Sequence, residues 1–291
     1  MNNLNILIPV FNTKDQLNNT LLSLENQDSR DFIVYIHDNA STDGSSELIS
    51  DFLKRADFNI SYLRHSENTG GANNFLSLIN LINDEYFVFL DSEDAISSSY
   101  VSSIQNCINE LSPEVIIPNF YEWGINGQKR PILGPCEIAN IPKNLRLASI
   151  AAMCNTSGLG YFFYGVYQGH KYTSLFKKIL NLASIAPSPN LSEDIAFSYT
   201  IASIAHEIAT VSSCDLLHYS KCNVDDNRLL LNKAGYKDIL ATSPPEVYIE
   251  ALDIISKLSL IDNRKLIILR DIINSKANLK NLQLSLASIC D

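Results

Sequence analysis

The sequence predicts an α/β protein in which helices flank a doubly wound, mainly parallel sheet and a C-terminal helical extension follows. Two observations predict this class. Short apolar runs alternate with segments whose apolar residues recur at helical spacing, and the runs end in turn-forming Asn, Asp and Gly residues. Units of this kind form right-handed crossovers in a parallel sheet. Such sheets bind ligands at the carboxyl ends of their strands, so the polar strand ends are the expected site.

The composition indicates a globular protein and excludes several functions. The chain has 291 residues, 46% of them hydrophobic, and its formal net charge of −10 leaves no basic surface for nucleic acid. No apolar run reaches the roughly 18 residues of a membrane span, and the first residues lack a signal-peptide pattern. Six scattered cysteines without a C-x-x-C pair indicate free thiols. We therefore expect a cytoplasmic protein, and the sequence leaves open peripheral contact with the inner face of the membrane and a homo-oligomeric state.

The first three β-α units are predicted from short-range patterns. Apolar runs predict strands at Leu4–Val10, Phe32–His37 and Ile60–Leu63, each followed by a helix. The first helix should run from Lys14 to about Asn26, with Thr13 as its N-cap. The turns after the second and third strands, residues 38–45 and 67–75, are rich in Asp, Asn, Ser and Gly.

A fourth strand, Tyr86–Leu90, ends in three carboxylates. Its five large apolar residues predict a strand buried on both faces. If the chain stays extended beyond it, Asp91 and Glu93 point to one side and Asp94 to the other. Two carboxylates could then share one cation.

The second half of the chain is less regular. The patterns predict a helix near residues 100–111, a strand at 115–117, a long loop at 120–141, a helix at 145–153, an aromatic strand or turn at 158–167, a helix from Ser192 to about 205, strands near 208–212 and 215–219, and helices from about 225 onward.

Five motifs, taken together, resemble the family 2 glycosyltransferases of the GT-A fold. They are Ile8–Asn12, Asp38–Ser45, Asn68–Gly71, Phe89–Asp94 and Glu193–Asp194. Each is weak alone, but five in the right order and spacing are a strong signal. The resemblance covers roughly residues 4–220, and the Asn-Thr-Gly-Gly-Ala form looks most like bacterial members that build polysaccharides.

The resemblance implies a function and a division of the chain. It implies an inverting, metal-dependent enzyme that moves a sugar from a UDP- or dTDP-sugar to a glycan or lipid-linked acceptor in cell-surface polysaccharide synthesis. The cofactor would be Mn²⁺ or Mg²⁺. Residues 1–224 would form the glycosyltransferase domain, with a nucleotide-sugar half at 1–95 and an acceptor half at 96–224, and residues 225–291 a helical subdomain.

The resemblance also implies roles for individual residues. The donor would contact Pro9, Val10, Phe11, Asn12, Asp38, Asn68, Gly70, Gly71, Asp91 and Ser92. The carboxylate of Asp38 would accept a hydrogen bond from N3–H of uracil or thymine, because an ionised carboxylate is a strong acceptor. The metal ligands would be Asp91, Glu93 and Asp94. In the pair Glu193 and Asp194, Asp194 would be the general base that takes the acceptor's proton.

Three departures from the family pattern stand out. The second position of the metal motif is Glu93 rather than aspartate. Asn73 and Asn74 stand where many relatives have an arginine. Cys222 stands where several relatives have a metal-binding histidine, and His218, four residues earlier, is not assigned to the metal.

Structural explanations compete with these roles. Asp38 and the 91–94 carboxylates are also turn formers, and Asp94 with Ser97 is suited to capping a helix. Glu193 and Asp194 would favour a helix N-terminus in any protein. The aromatic residues of 161–167 could stack on a sugar or fill a core.

Alternative functions stay open at this point. One is a non-catalytic GT-A-like protein that binds a nucleotide or glycan. A second, a sugar-nucleotide pyrophosphorylase, would need a basic, glycine-rich loop after the first strand, where the sequence reads Phe11-Asn12-Thr13-Lys14. A dehydrogenase is disfavoured because no G-x-G-x-x-G follows that strand.

Overall fold

The chain divides into two compact units. The first comprises Met1–Ile132, Tyr164–Ala186 and His206–Val224, and the second comprises Leu133–Phe163, Pro187–Ala205 and Asp225–Asp291. A computed structural model describes residues 4–83, 85–124, 127–132, 135–143, 145–146, 159–185, 197–198, 200–201, 204–220, 267 and 270–271. The strands described below all belong to the first unit.

The first unit is built on a mixed sheet, with nine strands among the described residues. They are Leu4–Val10 (β1), Phe32–Asp38 (β2), Asn59–Arg64 (β3), Tyr86–Phe89 (β4), Ala95–Ile96 (β5), Val115–Gly124 (β6), Lys129–Pro131 (β7), Val166–Gln168 (β8) and Ile208–Ser220 (β9). Their order is β3-β2-β1-β4-β8-β6-β9-β5, with β7 paired to β6. Strands β1 to β4 are parallel, whereas β8 is antiparallel to β4 and β6. The predicted β-α-β order of the N-terminal half is confirmed.

Helices connect these strands. Their bounds are Lys14–Glu25 (α1), Ser45–Leu53 (α2), Gly71–Ile79 (α3), Tyr100–Leu111 (α4), Pro135–Ala139 (α5) and Gly169–Ile185 (α6), and Leu159–Tyr164 is a 3₁₀ helix. Helix α3 packs against β1, β2 and α6. Among the described residues, no helix combines the length and the apolar character that crossing a membrane requires.

The core next to the strand ends is aromatic. All four residues of β4 are buried. The rings of Phe87 and Phe89 lie 5.2 Å and 5.5 Å from the ring of Phe176 on α6, and Phe75 on α3 lies 4.9 Å from Phe89. Each fully buried phenylalanine contributes about 1.5–3 kcal/mol, so β4 is firmly anchored between two helices.

The prediction of a long loop at 120–141 is wrong. Strand β6 continues to Gly124, β7 pairs with its last part, and α5 follows. The predicted strands at 208–212 and 215–219 are one strand, β9, which pairs with β6 along its length. The pairing of β6 with β9 joins residues more than ninety positions apart, so no local pattern reveals it.

The β6–β9 pairing contains an irregularity at Pro118. Pro118 pairs with Val211, but the next residue, Asn119, pairs with Asp215. Proline has no N–H for the ladder, so strands tolerate it at bulges. The Asn119 side chain donates a 3.0 Å hydrogen bond to the Ser212 carbonyl and so ties the bulged segment to β6.

Helix α1 begins where predicted, but Thr13 does not cap it with its side chain. The Thr13 hydroxyl instead donates a 2.9 Å hydrogen bond to the Ser92 hydroxyl. The Thr13 carbonyl accepts the first helical bond, from Leu17. This residue therefore links the start of α1 to the end of β4.

Several predictions fall largely outside the described residues. Of the helix predicted from Ser192, the described residues 197, 198, 200, 201 and 204 are helical. Of residues 225–291, only 267, 270 and 271 are described, and they are helical. The helix predicted at 145–153 is described only at its first two residues. The domain boundaries stay a prediction.

Candidate active site

The carboxyl ends of the parallel strands surround a cavity of about 430 Å³. Its lining includes Pro9–Phe11 from the end of β1, Asn68 with Gly70–Gly71 from the loop before α3, and Asp91–Glu93 after β4. The structure thus brings these predicted donor and metal residues together. A cavity of this size is in the range of small-molecule sites.

Four further residues line the cavity that sequence reasoning did not single out as site residues. They are Thr13, Asn39, Asn74 and Phe75. Thr13 had been interpreted as a cap, and Asn39 as part of a turn. Position along the chain is a usable signal, because each lies within four residues of a predicted site residue.

Asn12 belongs to the predicted donor set but is not among the lining residues. Its backbone is left-handed, with φ of 53°. Its N–H donates to the Ser41 hydroxyl at 3.0 Å, and its side-chain oxygen accepts from the Thr42 N–H at 2.8 Å. Asn12 therefore fastens the loop after β1, which carries Phe11, to the loop after β2.

Asp38 lies at the end of β2 and is fully buried. Its carboxylate accepts hydrogen bonds from the Ser41 N–H at 2.9 Å and the Tyr62 hydroxyl at 3.3 Å, and the Arg64 guanidinium lies 3.5 Å away. Burial and the Asp38 charge raise the pKa of Tyr62 to about 12. These contacts hold the carboxylate in place beside the cavity, but Asp38 is not among the lining residues.

A network of amide side chains holds the loop before α3. The Asn39 side chain donates to the Asn68 side-chain oxygen at 2.8 Å and accepts from the Thr69 N–H at 2.9 Å. The Asn68 oxygen also accepts from the Gly70 N–H at 2.8 Å. Gly70 has φ of 87° and ψ of 156°, a conformation that is essentially restricted to glycine. Asn39 and Gly70 together fix the cavity wall at the start of α3.

The carboxylates after β4 lie on a tight turn, not on an extended segment as predicted. The Asp94 N–H donates to the Asp91 carbonyl at 3.0 Å. Asp91 and Glu93 nevertheless both line the cavity. The Tyr164 hydroxyl donates a 2.6 Å hydrogen bond to Asp91 Oδ2. Burial, and next the charge of Asp94, raise the pKa of Asp91 to about 7.

Asp94 faces a different partner from its two neighbours on the turn. Its Oδ1 lies 3.0 Å from His218 Nδ1 and accepts from the Tyr219 N–H at 3.1 Å. Burial opposes protonation of His218, but the hydrogen bond to Asp94 and the charges of Asp94, Asp91 and Glu122 together outweigh burial and raise the pKa of His218. Asp94 does not cap a helix. The contact joins residues 124 positions apart, which is why sequence reasoning left His218 without a role.

The turn is suited to a hard divalent cation. The buried Asp94 Oδ2 has no hydrogen-bond partner. Burial and the charges of Asp94 and Glu93 raise the pKa of Asp91, so a cation at the turn would stabilise its ionised form. Within the described part of the chain, no three His, Cys, Asp or Glu side chains form a complete metal site. Divalent cations in phosphate-binding sites are often held by one or two carboxylates together with the substrate's phosphates. Asp91 and Glu93 fit that arrangement.

The predicted catalytic pair lies outside the described residues. The roles of Glu193 and Asp194 stay predictions, and Cys222 also lies outside the described residues. Of the aromatic segment, Phe162 and Tyr167 are buried in the core, whereas Tyr164 reaches Asp91.

Comparison with known proteins identifies relatives of part of the chain. Abequosyltransferase RfbV of Salmonella typhimurium is 36% identical over 104 residues, which cover 35% of this chain and 31% of that protein. The teichoic acid poly(glycerol phosphate) polymerase of Staphylococcus epidermidis is 32% identical over 117 residues, covering 39% of this chain and 16% of that protein. The matched region spans less than a third of each relative.

The fold is shared over nearly the whole chain with a solved structure. S. aureus TarS, residues 1–349, in complex with UDP-GlcNAc, aligns with a TM-score of 0.60 and 16% identity, covering 97% of this chain and 73% of that one. This match confirms the predicted GT-A fold. The sequence model of the family described as glycosyl transferase family 2 matches residues 5–163, more than half of the chain. This protein therefore belongs to glycosyl transferase family 2.

Proposed function

We propose that this protein is an inverting, metal-dependent glycosyltransferase of cell-surface polysaccharide synthesis. It moves a sugar from a UDP- or dTDP-sugar to a glycan or lipid-linked acceptor. One observation carries the proposal: a cavity at the strand ends combines an exposed aromatic ring, an amide network and two carboxylates. The names of the relatives, which include an abequosyltransferase and a teichoic acid polymerase, support the biosynthetic class. TarS, whose fold is similar, is known in complex with UDP-GlcNAc.

The donor's base and diphosphate have separate places in this cavity. Phe11 is 43% exposed and offers an apolar face to a base. Asp38, nearby at the end of β2, is the proposed acceptor for N3–H of uracil or thymine. Helix α3 begins at Gly71 on the cavity wall, and helix N-termini favour phosphate groups.

The carboxylates of the turn would hold the metal. Asp91 and Glu93, with Asp94 behind them, would bind Mn²⁺ or Mg²⁺, which would neutralise the charge that develops on the departing nucleoside diphosphate. Without a cation, three carboxylates would repel the diphosphate. The contact between His218 and Asp94 offsets part of that charge.

Transfer itself is a single displacement. The acceptor oxygen forms a bond to the anomeric carbon while the bond to the diphosphate breaks, so the configuration inverts. Asp194 takes the proton that the acceptor hydroxyl releases. This role rests on the resemblance of Glu193–Asp194 to the family's acidic pair.

A thermal-shift panel tests donor binding. A ligand that binds only the folded state raises the melting temperature, so UDP- or dTDP-sugars should raise it, and more so with Mn²⁺. Asp91→Asn should remove the Mn²⁺-dependent part. If no nucleotide sugar, GDP-sugars included, shifts the melting temperature, the donor proposal is wrong.

A transfer assay tests the proposed base. Asp194→Asn should lower transfer by at least a hundredfold while leaving the donor-induced thermal shift intact, since general base catalysis contributes about 10²–10⁴-fold. Asp51→Asn, at an exposed aspartate on α2, is the matched control. Undiminished transfer by Asp194→Asn would refute the role of this residue.

A further inference from the structure

The hydrogen bond from Tyr164 to Asp91 points to a role that the proposed function does not assign. The 2.6 Å bond joins the Tyr164 hydroxyl to Asp91 Oδ2, and the two residues lie 73 positions apart. Short bonds from a neutral donor to a carboxylate are among the stronger hydrogen bonds in proteins. Because the Tyr164 hydroxyl bonds to Oδ2, it restricts rotation of the Asp91 carboxylate. Oδ1 is then the oxygen that can bind another ligand.

The backbone around Tyr164 holds the hydroxyl in this place. Tyr164 ends the 3₁₀ helix, and β8, two residues later, pairs antiparallel with β4. Between them, Gly165 sits so close to its surroundings that an added Cβ would lie 3.0 Å from both Ile117 Cδ1 and the Tyr167 hydroxyl. The buried ring of Tyr167 packs on Phe87 of β4. The donor and the acceptor of the bond thus lie next to two directly paired strands, Tyr164 two residues before β8 and Asp91 two residues after β4.

The position of the Asp91 carboxylate matters because of the neighbouring carboxylate, Glu93. Glu93, the second carboxylate at the cavity, has one more rotatable bond than an aspartate, so its side chain has more rotamers to choose from. A cation held by two carboxylates then depends on Asp91 for its exact location. Partners that hydrogen-bond a metal-ligating carboxylate orient it, and their loss typically costs 10–100-fold in metal affinity or activity.

We propose that Tyr164 is a positioning residue that holds Asp91 Oδ2 and so presents Oδ1 to the divalent cation of the donor site. This inference rests on the proposed function, because it requires that Asp91 binds a metal. Tyr164→Phe removes the hydroxyl and keeps the ring. We expect it to weaken Mn²⁺ binding by tenfold or more without changing the fold.

The test is a titration of the protein with Mn²⁺, monitored by electron paramagnetic resonance. The nucleoside diphosphate that gives the largest thermal shift is present at a saturating concentration. The variants are Tyr164→Phe, Asp91→Asn and Tyr35→Phe. Tyr35 is half-buried on β2 and does not line the cavity, so its variant controls for the loss of a tyrosine hydroxyl. In a transfer assay, Tyr164→Phe should raise the Mn²⁺ concentration for half-maximal rate tenfold and keep the rate at saturating Mn²⁺ within about threefold.

The outcomes separate the inference from the function on which it rests. Weak binding by Tyr164→Phe, abolished binding by Asp91→Asn and wild-type binding by Tyr35→Phe support the inference. If Asp91→Asn abolishes binding but Tyr164→Phe binds like the wild type, the positioning role is wrong and the proposed metal site stands. If the wild type itself binds no Mn²⁺, both are overturned. An equal loss in Tyr164→Phe and Tyr35→Phe, with lowered melting temperatures, indicates a general structural effect and refutes the specific role.

Discussion

Two adjacent glycines on the cavity wall provide a controlled test of what stabilises the loop before α3. Gly70 and Gly71 both line the cavity, and a Cβ added to either would meet nothing within 4 Å. They differ in backbone conformation. Gly70 has φ of 87° and ψ of 156°, whereas Gly71 begins α3. Substitution by alanine therefore isolates backbone strain from steric clash.

The structure sets the size of the expected difference. A non-glycine residue in the conformation of Gly70 costs on the order of 1–3 kcal/mol. Gly71→Ala meets no such strain and should be neutral or stabilise by about 0.4–1 kcal/mol, because alanine has less conformational freedom in the unfolded chain. In a protein of this size, about 1 kcal/mol corresponds to roughly 2–4 °C in melting temperature.

Chemical denaturation of the two variants, together with their thermal shifts on nucleotide binding, tests this reasoning. We expect Gly70→Ala to be about 1–3 kcal/mol less stable than Gly71→Ala and to lose most of the nucleotide-induced shift. Equal stabilities would show that the Gly70 conformation is not required, and the role of Gly70 in fixing the cavity wall would then be wrong.

Two further predictions concern the surroundings of the cavity. Asn39→Ala removes three hydrogen bonds to Asn68 and Thr69 and should lower the free energy of unfolding by about 2–4 kcal/mol. The control Asn73→Ala, at an exposed residue whose side chain makes one hydrogen bond, should lower it by less than about 1 kcal/mol. Equal losses in denaturant titrations would contradict this prediction. Burial, and next the charge of His65, lower the pKa of His37 to about 4. As the pH falls below about 6.5, His37 therefore takes up a proton in the unfolded chain but not in the folded protein. The free energy of unfolding should consequently decrease between about pH 6.5 and pH 4. Between pH 8 and pH 5, the free energy of unfolding should fall by about 1–2 kcal/mol less in His37→Gln than in the wild type. The control His170→Gln, at an exposed histidine, should keep the wild-type pH dependence. A His37→Gln profile parallel to that of the wild type would refute the role of His37.

The N-terminal half of the fold was predictable because its signals are local. Each strand from β1 to β3 is a short run with apolar residues followed by a turn and a helix, and β4 is a fully buried apolar run. Parallel strands of this kind place their polar ends at one edge. That rule alone predicts that Phe11, Gly70 and Asp91 lie at the same site.

The rest was not predictable from local patterns. The extension of β6 to Gly124 depends on β9, and the roles of Tyr164 and His218 depend on Asp91 and Asp94, all far away in sequence. Thr13 satisfied the rule for a helix cap, but the hydroxyl of Ser92 lay within its reach. In each case, a tertiary contact decided between options that the local sequence allowed equally.

The proposed function requires that the cavity bind a nucleoside diphosphate together with a divalent cation at Asp91 and Glu93. A crystal structure with Mn²⁺ and UDP or dTDP, with anomalous scattering data for manganese, tests it most directly. We predict a single manganese peak within coordination distance of Asp91 Oδ1, bridged to the diphosphate, with the base against Phe11. A nucleotide bound in the cavity without manganese at Asp91, or manganese bound away from this turn, would contradict the account.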